Sequence, residues 1–69
     1  MFYLIEISDT ASGVAKAITE KTSLDSAYMT LHQTLASAMA NEQVHSCMCM
    51  VIDAVGAVQR YEYWERASA

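Results

Sequence analysis

Apolar and polar residues change their spacing along this chain in a way that marks out five segments. Over residues 1–8, Tyr3, Ile5 and Ile7 fall on one side of an extended chain and Phe2, Leu4 and Glu6 on the other, a strand pattern. Asp9-Thr10-Ala11-Ser12-Gly13 is a turn cluster ending in glycine, as a hairpin loop requires. Residues 14–21 follow as a second, more polar strand. Lys16, Glu20 and Lys21 would discourage further pairing along it, which suits a sheet edge. The spacing then lengthens: Leu24, Tyr28, Leu31, Leu35 and Ala38 form one stripe at helical period, with Ser26, Thr30, Gln33 and Ser37 away from it. A helix over residues 23–40 is predicted, capped by Thr22 with Asp25 as its reciprocal partner and ending near Asn41.

Alternation returns at residues 44–52. Met48, Met50 and Ile52 mark one face of this strand; Cys47, Cys49 and Val51 mark the other. Both faces are apolar, unlike a strand with one side in water. Asp53-Ala54-Val55-Gly56 supplies a second turn with glycine placed for positive φ. Residues 57–65 form the last strand, and residues 66–69 are expected to fray.

The order is therefore ββαββ, an α+β domain: two hairpins joined by a helix, with a four-stranded, mostly antiparallel sheet covered by the helix on one face. Phe2 and Leu4 or their counterparts, with Cys47, Cys49 and Val51, are expected on the uncovered face, beneath a second copy of the chain.

Size sharpens that expectation. With 69 residues there is room for one domain, which buries only about 60% of the surface its unfolded chain exposes. Phe occurs once and Met five times, and Ala is the commonest residue, so the core is thin. Small domains are usually reinforced by disulfides, a metal or a partner subunit. Cys47 and Cys49, two apart on a strand, have Cα atoms about 6.5–7 Å apart, at the limit for a disulfide. The opening residues Met1–Glu6 carry no basic leader of a signal peptide, and no apolar run approaches membrane-spanning length. The expectation is a reduced, cytoplasmic homodimer or higher oligomer, with no cofactor.

Four basic against eight acidic residues argue against nonspecific nucleic-acid binding, which needs clustered cations. With two glycines in all, there is no glycine-built phosphate cradle, and no catalytic motif is present. The chain is expected not to be an enzyme. On an ideal strand His45, Cys47 and Cys49 share a face, and two neighbours could ligate zinc. A complete site would need His32 or a symmetry mate, and small thiols packed under an interface are the simpler reading. His32 and His45 suit a phosphate or half-buried hydrogen-bonding roles. Ser46, beside His45, points to the opposite side of a strand and makes no catalytic pair with it. Tyr61 and Tyr63 share one face of the last strand; Arg60, Glu62 and Trp64 share the other, where Trp64 could stack on a base or fill an interface.

Tyr28-x-x-x-His32-Gln33-x-Leu35-Ala36-x-Ala38, followed by Val44-His45-Ser46 and Gly56, resembles short proteins of unassigned function encoded by phages and mobile elements of Firmicutes. The resemblance spans most of the chain. It implies a protein that binds and neutralises a host component, and it singles out His32, His45 and Ser46 for mutation. The leading expectation is a non-enzymatic oligomeric binding protein with His32, His45, Arg60 and Trp64 as contacts for a ligand such as a signalling nucleotide. Two alternatives stand beside it. One is an acidic inhibitor that mimics nucleic acid through Asp9, Glu20, Asp25, Glu42, Asp53, Glu62 and Glu65. The other is a plain oligomerisation module.

Overall fold

A computed structural model describes residues 1–67. Among the described residues, strands β1 (Phe2–Thr10), β2 (Gly13–Lys21), β3 (Val44–Asp53) and β4 (Val58–Glu65) flank one helix, α1 (Leu24–Ala40), in the sequence order ββαββ. All neighbouring strands are antiparallel, in the order β2-β1-β3-β4. The expected α+β architecture is the one observed. The two strands richest in apolar residues, β1 and β3, take the centre, where both neighbours are strands. The more polar β2 and β4 take the edges, where charges stay hydrated.

Side chains close both hairpins. In the first, Thr10 Oγ1 accepts from Ser12 N at 3.1 Å and donates to the Gly13 carbonyl at 2.7 Å. In the second, Asp53 Oδ1 accepts from Val55 N at 3.0 Å and from Ala57 N at 2.9 Å. Each turn leaves through a residue with positive φ, Gly13 at 118° and Gly56 at 90°. Any Cβ would strain the backbone there.

The helix starts one residue later than expected: the cap is Ser23, whose hydroxyl accepts from Ser26 N at 3.1 Å, not Thr22 with Asp25. Either hydroxyl satisfies the sequence rule; the strand β2 runs through Lys21, and Ser23 is the residue left extended before the first turn. The helix lies chiefly over β3 and β1. It buries Ala27, Leu31, Leu35 and Ala38 against Leu4, Val44, Cys47, Cys49 and Val51, with Phe2, Leu24, Tyr28 and Trp64 packed around them.

That core corrects the expected assignment of faces. Leu4 pairs with Val51, Glu6 with Cys49 and Ser8 with Cys47, so these residues share one face, and it is the face under the helix. Thiols, Ser8 and Val51 are small, and they let the helix settle close to the sheet. The bulkier set, Tyr3, Ile5, Ile7, Met48, Met50 and Ile52, lies on the opposite face, which no element among the described residues covers. Ala38, the last residue of the expected helical stripe, lies inside the chain's own core, whereas Ala36 and Ala40 are exposed.

Candidate functional site

Two departures from regular pairing shape the surface. Thr10 pairs with Val44 and Asp9 with Ser46, leaving His45 as the extra residue of a bulge in β3. The bulge breaks the strand's alternation: Val44 and Cys47 both point into the core while His45 is exposed. Consequently His45 does not share a face with Cys47 and Cys49, as simple alternation predicts. Among the described residues, no three His, Cys, Asp or Glu side chains lie where one metal ion could be held. The second bulge places Gln59 between the pairs Val51–Arg60 and Ile52–Val58. The Gln59 carbonyl accepts from the Tyr28 hydroxyl at 3.1 Å, which ties β4 to the helix.

The cysteines are free, fully buried, and in contact through their sulfurs at 3.8 Å. Burial, reinforced by the neighbouring Cys47, pushes the Cys49 thiol up to about 12. Only the thiolate is nucleophilic, so Cys49 is inert at neutral pH, and burial shields both sulfurs from reagents. The sign of the linkage follows. A thiol whose folded pKa lies above its ordinary value of 9.0 contributes stability that is complete below pH 9 and is lost as pH climbs toward 12. We expect a disulfide reagent to label neither thiol in the native protein at neutral pH and both after denaturation. Rapid native labelling would show the core to be open.

The four residues expected to contact a ligand fall into separate places. His32 is exposed on the helix, one turn after Tyr28. Arg60 donates to Glu62 Oε1 at 3.0 Å, and its guanidinium carbon lies 5.6 Å from the centre of the Tyr28 ring. Trp64 is half-buried against the core, and Arg66 lies over its ring at 4.8 Å. Arg60 and Trp64 thus belong to the helix side of the sheet. His45 instead opens into a cleft of about 390 Å³ at one end of the sheet, with Asp9, Ser46, Tyr63, Glu65 and Arg66. The fold brings Arg60 and Trp64 to one face and His45 to another, so the set does not converge within one chain.

Arg66 was expected to fray, and it is anchored instead. Its backbone N–H donates to the His45 carbonyl at 2.8 Å, extending the β3–β4 pairing across the bulge. Its guanidinium donates to the carbonyls of Val44 (3.2 Å), Ala38 (3.5 Å), Met39 (3.2 Å) and Asn41 (3.0 Å). The last turn of α1 contains no basic residue, and Arg66 supplies from a distance the cation that the helix's C-terminal carbonyls favour. Residues 68–69 of the expected frayed end lie outside the described residues.

A second distinct surface is the face of the sheet away from the helix. Reading across the strands, its rows are Ile18-Ile5-Met50-Tyr61 and Lys16-Ile7-Met48-Tyr63. Glu20-Tyr3-Ile52-Val58 lies on one side of these and Val14-Asp9-Ser46-Glu65 on the other. The centre is free of charge, and the four charged side chains sit on an edge strand or in the outer rows. Interfaces share this anatomy, an apolar core rich in Tyr and Met within a polar rim. Alternation alone revealed the apolar faces of β1 and β3. It could not reveal that Tyr61, Tyr63 and Ile18 extend the patch, because that depends on strand order. Compared with protein-family models, curated proteins and solved structures, the chain matches none of them.

Proposed function

We propose that this chain is a non-enzymatic, homo-oligomeric binding protein that works through the uncovered face of its sheet. One observation carries the reading: the central strands turn Tyr3, Ile5, Ile7, Met48, Met50 and Ile52 away from the helix, and no element among the described residues covers them. An antiparallel sheet that meets water ordinarily alternates to polar residues on that side. The same surface accounts for how so small a core is reinforced. Two of its nine buried apolar positions are Ala and two are Cys, and a domain of this length gains much from a partner subunit.

The sealed thiols and the scattered histidines support the non-catalytic part of the reading, since catalysis needs an acid, a base and a nucleophile converging in one concavity. Light scattering over a concentration series provides the test. The expected result is a mass above that of the 7.6 kDa chain at micromolar concentration, falling toward it on dilution. A constant monomer mass at the highest soluble concentration sinks the proposal.

A further inference from the structure

Building on that self-association, we infer that the uncovered face receives a second copy of this chain face to face. The two-fold axis runs along the strands, so that β2 of each copy lies over β4 of the other and Lys16 reaches diagonally to Glu65 across the boundary. The extent of the patch is the first argument. Ile7, Val14, Ile18, Tyr61 and Tyr63 are 40%, 62%, 71%, 55% and 53% exposed. With aromatic side chains of about 150–250 Å² each, these five leave on the order of 500–600 Å² of apolar surface. That is the upper end of what a typical monomer exposes. The half-buried side chains of β1 and β3 bring the face close to the roughly 800 Å² per partner of a stable interface.

Polarity selects the axis. A two-fold along the strands keeps each row opposite itself while exchanging β1 with β3 and β2 with β4. Ile5 then faces Met50, Ile7 faces Met48, Tyr3 faces Ile52, and Asp9 faces the Ser46 hydroxyl. The aliphatic edge at Ile18 meets the aromatic edge at Tyr61. This axis leaves polar-on-apolar pairs only at the edge strands, such as Glu65 opposite Val14; an in-plane axis across the strands would bring them onto the central strands too, Ser46 on Ile52 and Asp9 on Tyr3.

Charge selects the edge contact. Among the described residues, Lys16 is the only cation that strand pairing places on this face, and it lies in the row of Tyr63. The Tyr63 hydroxyl donates to Glu65 Oε2 at 3.3 Å, which draws the carboxylate back toward that row. The axis therefore sets each Lys16 opposite the partner's Tyr63, from where its long side chain reaches diagonally, one row over, to the Glu65 carboxylate, and symmetry makes the contact twice per dimer. Glu20, opposite Val58 at the rim, stays in water.

Sedimentation equilibrium on the full chain and its charge variants tests the arrangement. Each exposed pair is worth up to about 1 kcal/mol and is made twice, so Lys16→Glu and Glu65→Lys should each weaken the dimer about tenfold. The double exchange should return it to within about threefold of the original, by the same pairing. Ile18→Asp, at a position already in water in the monomer, should weaken it more than either without changing the circular dichroism. Singles that weaken with no recovery in the double variant overturn the Lys16–Glu65 contact. A dimer indifferent to all of these variants overturns the face-to-face arrangement while leaving self-association intact. A wild-type chain that remains monomeric overturns both.

Discussion

Leu31→Ala is expected to remove about 2–5 kcal/mol of stability, the range for cutting a buried leucine back to its Cβ. In this chain that is close to the whole reserve, since a core of this size rarely supplies more than roughly 3–5 kcal/mol. Leu31 is fully buried and heads the largest sealed side chains of the core, with Val51, Cys47 and Cys49. It sits near the middle of α1, where the helix presses on β3, so its neighbours belong to rigid elements and collapse poorly into a cavity. Urea unfolding followed by circular dichroism checks this, with all proteins at one concentration because association adds to apparent stability. Leu31→Met, which nearly conserves volume, should lose less than about 1.5 kcal/mol. If the alanine variant unfolds alongside the wild type, the helix does not rest on the sheet as described.

Arg66→Ala is the second large effect, and its location is unexpected for a residue beyond the last strand. The guanidinium bonds to four carbonyls around the end of α1 and the start of β3, and it lies over Trp64. Hydrogen bonds to a charged group are worth about 1.5–3 kcal/mol when shielded. Partial exposure here reduces the expected loss to about 1–2 kcal/mol, in line with a helix-terminal cation. The loss should be local before it is global: amide exchange should quicken at the end of α1 and in the loop to Val44, and less in β1. Arg66→Lys should restore under half of it, because a single ammonium cannot reach several carbonyls as a planar fork does. Equal stability in wild type and alanine variant would show that the residue is not anchored.

These two residues mark what was legible in the sequence. Leu31 was readable because its apolar neighbours recur at helical spacing, a signal carried by residues close together in the chain. The loop chemistry was readable for the same reason: Thr10 with Gly13 and Asp53 with Gly56 act within a few residues of one another. Arg66 was not, since its acceptors lie more than twenty residues away and nothing in the local pattern marks the meeting. The His45 bulge was hidden likewise, because a strand's alternation is broken there only by its register against β1. That one break separates His45 from the cysteines with which it appeared to align.

By itself, then, the sequence determined the five elements, their types, and the grouping of side chains into faces wherever no bulge intervenes, all consequences of backbone geometry with periods of two and 3.6 residues. It also determined that both sides of β3 are apolar. The tertiary structure alone decided the strand order, and which of the two greasy sides the helix takes. Periodicity says which side chains travel together but is silent on where they go. That choice follows volume: the small Cys, Ser and Val side chains lie under the helix, and the bulkier Ile, Met and Tyr lie on the uncovered face.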